Sequence, residues 1–213
     1  MACPICNKRK PERYCPAKGE KICAVCCGTE REVTIDCPAD CAYLVAARRY
    51  EEEHRKPVPP SEVPFPEAQF SPDLIHERRA VVSALGYAIL KFAAGQPSLV
   101  DVDTLAALAA LAETYRTLTS GIYYQKPPDA ALPRALYDDL AKMIQDLRQQ
   151  DAERTGFSSL KDTEIFYLLV FLLRVGRLRT NGRPRARNFL EFLRAQYPQA
   201  PELGRAQSRI ITP

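Results

Sequence analysis

The chain has 213 residues, 46% of them apolar, and 30 Lys and Arg against 26 Asp and Glu give a formal charge of +4. This length admits one helical domain of ordinary size plus a small module. No run of 18 or more apolar residues marks a membrane span. The positive balance also argues little for a polyanion partner. If all eight cysteines were thiolates holding two divalent ions, −8 and +4 would bring the total from +4 to about zero.

The first predicted element is a cysteine module. Cys3, Cys6, Cys15, Cys23, Cys26, Cys27, Cys37 and Cys41 are the eight cysteines of the chain, all within its first 41 residues. Two residues between cysteines let a tight turn aim both sulfurs at one metal, and eight thiolates suffice for two tetrahedral zinc ions with all-sulfur shells. Disulfides are the rival reading. Residues 1 to 20 contain no apolar run of the signal-peptide kind, and cysteines in the cytoplasm stay reduced, so zinc in a cytoplasmic protein is the expectation. A piece this small buries too little apolar surface to fold without metal. In a cross-braced finger the ligand pairs alternate, which assigns Cys3, Cys6, Cys23 and Cys26 to one ion and Cys15, Cys27, Cys37 and Cys41 to the other. With every position filled by sulfur, neither ion keeps the vacancy that catalytic zinc uses.

CPIC at 3 to 6, RYC at 13 to 15, KIC at 21 to 23 and the C-x3-C at 37 to 41 resemble the HIT-type and MYND-type zinc fingers. The resemblance covers about 40 residues. It departs from the family pattern in lacking a close cysteine after Cys15 and in having Cys37 where a histidine is usual. Cys27, next to Cys26, supplies the missing ligand in the division above. The resemblance implies a module that holds protein partners or assembles complexes, and it implies no catalysis.

After the finger, a helix is expected from near Cys37 to about His54, with Cys37 and Cys41 on its first turns, closing a module of residues 1–56. Prolines 57, 59, 60, 64, 66 and 72 make 57–71 an extended connector, whose Phe65 and Phe70 should lie along the following domain. Residues 72–197 read as an α-helical domain of about five helices, an irregular bundle. The first of these runs from Pro72 to Gly95 through Leu74, Arg78, Val81, Leu85, Ile89 and Phe92. The second starts at Asp101 to Asp103, acidic residues read as caps of that helix. It carries Leu105, Leu108, Leu111, Tyr115 and Leu118. The third starts at Pro133 with a stripe of Leu136, Leu140, Ile144 and Leu147. Ser159 and Asp162 have capping-box spacing before Ile165 to Leu173, a stretch apolar all round and therefore central. A last helix spans 186 to 197, and 198–213 reads as a flexible tail. The fold class expected is thus a small two-zinc cross-braced finger followed by an all-α irregular helical bundle.

Beyond the cysteines, Arg174, Arg177, Arg179, Arg183, Arg185 and Arg187 fall in a segment without acidic residues and with a turn at Asn181-Gly182. Arginine forks suit phosphate or carboxylate, so this hairpin could serve nucleic acid, an acidic protein surface, or acidic neighbours within the chain. Tyr123 and Tyr124, followed by Lys126-Pro127-Pro128, suit either a partner surface or a half-buried core edge. His54 and His76 have no neighbour of the kind a hydrolase needs, and no phosphate loop, G-x-S-x-G or H-E-x-x-H is present. The function expected is a non-enzymatic zinc-binding adaptor for protein–protein interaction or complex assembly. A nucleic-acid-binding protein working through residues 174 to 187 is the first alternative, and an enzyme with its active residues dispersed in the helical domain is the second.

Overall fold

The computed structural model describes residues 2–121 and 123–199. It places a small β-hairpin unit ahead of a helical bundle, with two separate apolar clusters. Strand β1 (Arg13–Cys15) pairs antiparallel with β2 (Glu20–Ile22), Tyr14 opposite Lys21 and Cys15 opposite Glu20. The turn closes through the amides of Lys18 and Gly19 on the Cys15 carbonyl, with Gly19 at φ +69°, a conformation that favours glycine. Alternation along the strands puts Cys15 and Ile22 inside and Tyr14 and Lys21 outside.

Helix α1 (Ala24–Glu30) follows at once, with Cys23 as its N-cap. Helix α2 (Ala42–Glu53) starts later than expected. Cys41 is its N-cap and Cys37 lies before it, the two separated by a turn in which the Cys41 amide bonds the Pro38 carbonyl at 3.0 Å. The physical reason is Pro38, which biases Cys37 away from helical backbone. The connector carries one 3-10 turn, Pro60–Glu62, before the bundle begins.

Helix α3 (Pro72–Glu77) is capped by the Ser71 hydroxyl, which accepts from the Leu74 amide. The single helix expected over 72 to 95 is broken at Arg78 (φ −96°, ψ 18°), after which α4 (Arg79–Gly95) continues. Arg78 reaches out of the helix line to the Glu164 carboxylate at 3.0 Å and the Ser159 carbonyl at 3.1 Å. Four more helices complete the bundle: α5 (Asp101–Thr119), α6 (Ala131–Thr155), α7 (Asp162–Arg179) and α8 (Asn188–Gln196).

Helix α7 is the centre. Ile165, Phe166, Leu168, Leu169, Val170, Leu172 and Leu173 are all buried, and the helix touches α4, α5 and α8. Its remaining side, Tyr167 and Phe171, is covered by the connector, where Phe70 sits on both rings and Phe65 meets Phe166 edge-on. Gly176 lets α5 and α8 close in, since a Cβ there would lie 2.5 Å from Leu105 and 3.0 Å from Phe189. The start of α7 differs from expectation. Lys161 is its N-cap, with its amide bonded to Glu164, while the Ser159 amide turns back to Asp151 on α6.

Asp101 does not cap its own helix. Its carboxylate accepts the amides of Phe189 (3.1 Å) and Leu190 (3.3 Å), which makes it the cap of α8, 88 residues further on. No helix among the described residues is long and apolar enough to cross a membrane. The tail expected from Pro198 lies, from residue 200 onward, outside the described residues.

Candidate metal centre

Three local structures bring four sulfurs together. In the first, Cys3-Pro4-Ile5-Cys6 turns back on itself, the Asn7 amide bonding the Cys3 carbonyl (2.7 Å) and the Cys3 amide bonding the Arg9 carbonyl (2.8 Å). Asn7 sits at φ +52°, and asparagine is among the few residues that tolerate that region. The β-hairpin then carries the chain back so that Cys23 lies beside Cys3, its amide 3.3 Å from the Cys3 Sγ. Finally the first turn of α1 swings Cys26 over Cys23, with the Cys26 amide 3.4 Å from the Cys23 Sγ.

The Sγ atoms of Cys3, Cys6, Cys23 and Cys26 all lie within 4.8 Å of one another. Cys6 and Cys23 are 3.9 Å apart, too far for a disulfide and close to the roughly 3.8 Å edge of a tetrahedron with metal–sulfur bonds of about 2.3 Å. The residues therefore fit one tetrahedral ion. Amides do much of the electrostatic work: those of Lys8 and Arg9 draw the Cys6 thiol down to about 6, outweighing burial. Burial also opposes ionisation of Cys3, but the amides of Cys23, Cys6 and Ile5 carry it below the ordinary thiol value. Cys26 goes the other way, pushed up to about 12 by burial and by the neighbouring sulfurs. A divalent ion resolves that crowding, because it lets all four sulfurs be thiolates at once.

The other four cysteines are less gathered. Among the described residues, Cys15, Cys27, Cys37 and Cys41 do not come together as a second group of this kind. Burial raises the Cys37 thiol, the Glu32 amide lowers it, and the charges of Cys41 and Cys15 raise it again, so these three share a neighbourhood. Cys27 faces an Arg31 guanidinium nitrogen at 3.9 Å.

The N-terminal unit is fastened to the bundle by the arginine segment, and the centre of that joint is Glu32, which its position in a charged run does not reveal. Glu32 is 1% exposed and sits at φ +53°. Its carboxylate accepts Arg48 of α2 (2.7 Å) and Asn181 (2.9 Å), and its carbonyl accepts the Arg185 amide (2.8 Å). Arg183 caps the end of α1 by donating to the carbonyls of Gly28 (3.0 Å) and Arg31 (2.6 Å). Arg187 pairs with Asp36 and also holds the carbonyls of Leu99 and Pro97. Arg179 pairs with Glu52 of α2 at 2.7 Å and lies over the Phe192 ring.

Arg174 turns to the connector, donating to the carbonyls of Pro64, Phe65 and Ala68. Arg177 is exposed, and the Arg185 side chain is half-exposed, 3.8 Å from Asp36. Within the chain, Arg179, Arg185 and Arg187 face acidic residues, while Arg174 and Arg183 donate to backbone carbonyls. Tyr123 and Tyr124 are 70% and 54% exposed on the loop after α5, with the Tyr124 carbonyl held by Thr117. His54 is exposed and stacks on Tyr50, and His76 is exposed on α3.

No known protein family, curated protein or solved structure matches this chain. Its function is therefore argued from the site and the surfaces around it.

Proposed function

We propose that the chain is a non-enzymatic, zinc-binding adaptor of the cytoplasm that holds a protein partner. The observation that carries this reading is the closed four-sulfur cluster of Cys3, Cys6, Cys23 and Cys26, which offers an ion no open position for substrate. All eight cysteines are free thiols, in keeping with a reducing compartment and with thiolate ligation. The finger is anchored to the bundle through Glu32, Arg183 and Arg187, so metal binding would fix the orientation of its outer surface relative to the helices. The resemblance to HIT-type and MYND-type fingers points to the same use. Tyr123 and Tyr124 are the exposed aromatic pair we assign to the partner interface, where tyrosine is enriched.

A second zinc ion on Cys15, Cys27, Cys37 and Cys41 completes the proposal. Its support is the electrostatic neighbourhood shared by Cys15, Cys37 and Cys41. Native mass spectrometry of the full-length protein reads the ion count directly. Two zinc ions are expected, and a single ion would remove the second site while leaving the first. For the adaptor role, the test is affinity capture of the full-length protein with nuclease present. A stoichiometric protein partner lost on replacing Tyr123 and Tyr124 by alanine is the expected result. Capture that nuclease abolishes, or that ignores both tyrosines, overturns it.

A further inference from the structure

The arginine segment is the more conspicuous basic stretch in the sequence, but most of its guanidiniums are engaged inside the molecule. A run of cations without partners lies elsewhere. Lys8, Arg9, Lys10, Lys18 and Lys21 are all exposed, and none has an ion-pair or hydrogen-bond partner for its side chain among the described residues. They follow the knuckle at Cys3 to Cys6 and the hairpin tip, on either side of Tyr14. Tyr14 is 56% exposed and stands directly across the ladder from Lys21, on the outer face of β1 and β2. Glu12 and Glu20 are the acidic residues of the stretch, and neither pairs with any of the five.

We propose that this part of the finger, where exposed Tyr14 faces Lys21 across the ladder and exposed, unpaired cations precede and follow it in sequence, binds single-stranded nucleic acid. The chemistry is that of a stacking platform on a positive surface: a base lies on the ring while neighbouring phosphates meet the lysines. None of these cationic side chains hydrogen-bonds the sulfur cluster. What touches Cys6 is the backbone of Lys8 and Arg9, while their side chains are exposed. A duplex presents no free base to Tyr14, so single strands are selected. An acidic protein segment would satisfy the charges but gives the exposed ring no comparable partner. This inference stands apart from the adaptor reading, because it uses neither Tyr123 and Tyr124 nor a protein partner.

Fluorescence anisotropy on the full-length, metal-loaded protein tests it, with oligouridylate and oligothymidylate of about 12 nucleotides. The wild type is expected to bind both, with a log–log salt slope of about −2 to −3.5. Replacing Lys8, Lys18 and Lys21 together by glutamine should weaken binding at least tenfold at about 50 mM salt and flatten the slope by about 2. Tyr14→Ala should weaken it about fivefold or more with the slope unchanged, because stacking releases no counterions. Native mass spectrometry should show the same ion count in every variant, and Arg177→Gln, off this face, should bind as the wild type does. Absence of binding at about 50 mM salt overturns the proposal. So does equal affinity for a duplex, an equal loss in Arg177→Gln, or a polyglutamate chain that binds while the oligonucleotides do not.

Discussion

Two stretches of this chain are rich in positive charge, and the structure treats them in opposite ways. Between residues 174 and 187, arginines reach across sequence separations of more than a hundred residues to carbonyls and carboxylates. Between residues 8 and 21, Arg13 lies over the Tyr43 ring, while Lys8, Arg9, Lys10, Lys18 and Lys21 are exposed and, among the described residues, unpaired. The difference follows from side-chain chemistry and from what lies nearby. A guanidinium has five donors in a fixed fork, so one Arg183 bridges two carbonyls at the end of α1 and one Arg187 joins Asp36 to the carbonyls before α5. A hydrated ammonium gains little from such bridging and stays outside. Basic charge in a sequence is thus evidence of a partner surface only where the fold leaves it unpaired.

The largest effect expected on this contrast comes from removing the metal. An ion held by four thiolates contributes on the order of 10 kcal/mol to folding of a module this small. Chelation should unfold residues 2 to 41, and the joint should loosen with them because Glu32, Asp36 and the end of α1 are its finger half. Hydrogen exchange should rise across 28–36 and 180–187, while the amides of α5 and α7 keep their protection. An apo protein with both segments still protected would show that the joint holds without the ion.

Next in size is the joint itself. Glu32→Ala removes a buried carboxylate and leaves Arg48 and Asn181 facing an empty space, which should cost about 3 kcal/mol. Arg183→Ala strips the α1 carbonyls of their donor and should cost about 2 kcal/mol. Both are read by denaturant unfolding of the metal-loaded protein. If either variant is as stable as the wild type, the docked arginines are no more held than the exposed lysines.

What could be read from the sequence, and what could not, divides along the same line. The short cysteine pairs set the sulfur cluster locally, within turns of two residues, and so the first ligand set is legible in the spacing. The apolar run from Ile165 to Leu173 marks the central helix because no face of it is polar. Glu32 was not legible: in Arg31-Glu32-Val33 it looks like any surface charge, and its partners Arg48 and Asn181 are 16 and 149 residues away. A carboxylate at a helix start usually caps that helix, so the sequence at Asp101 points to a local cap. The bond it makes instead, to amides 88 residues on, leaves no periodic trace. Cys37 reads as helical in sequence because i to i+4 spacing does not distinguish a helical turn from the proline-led turn that forms.

Asp101 gives a pH-dependent effect with a definite sign. Burial pushes its carboxyl up to about 6 from an ordinary 3.8, against the pull of the two amides it accepts. Between those values the folded state holds the proton more tightly than the unfolded chain. This contribution to stability therefore falls as pH rises from about 4 to about 6 and then levels off. The full change is about 3 kcal/mol. Subtracting the unfolding free energy of Asp101→Asn from that of the wild type across this range isolates it. A flat difference would mean that the cap titrates alike in both states.

The smallest effect expected is on the other side of the comparison. Replacing Lys8, Lys18 and Lys21 by glutamine removes three charges that form no ion pair or side-chain hydrogen bond among the described residues, so the unfolding free energy should move by no more than about 0.5 kcal/mol. Tyr14→Ala should be similarly mild, because the ring lies on the outer face of the hairpin while Cys15 and Ile22 on the inner face keep the packing. A loss of about 2 kcal/mol in the lysine variant would mean that these cations stabilise the sulfur cluster through space, as the docked arginines stabilise the joint. Unchanged stability together with lost oligonucleotide binding would separate the two basic stretches by role, one holding the molecule together and the other facing a ligand.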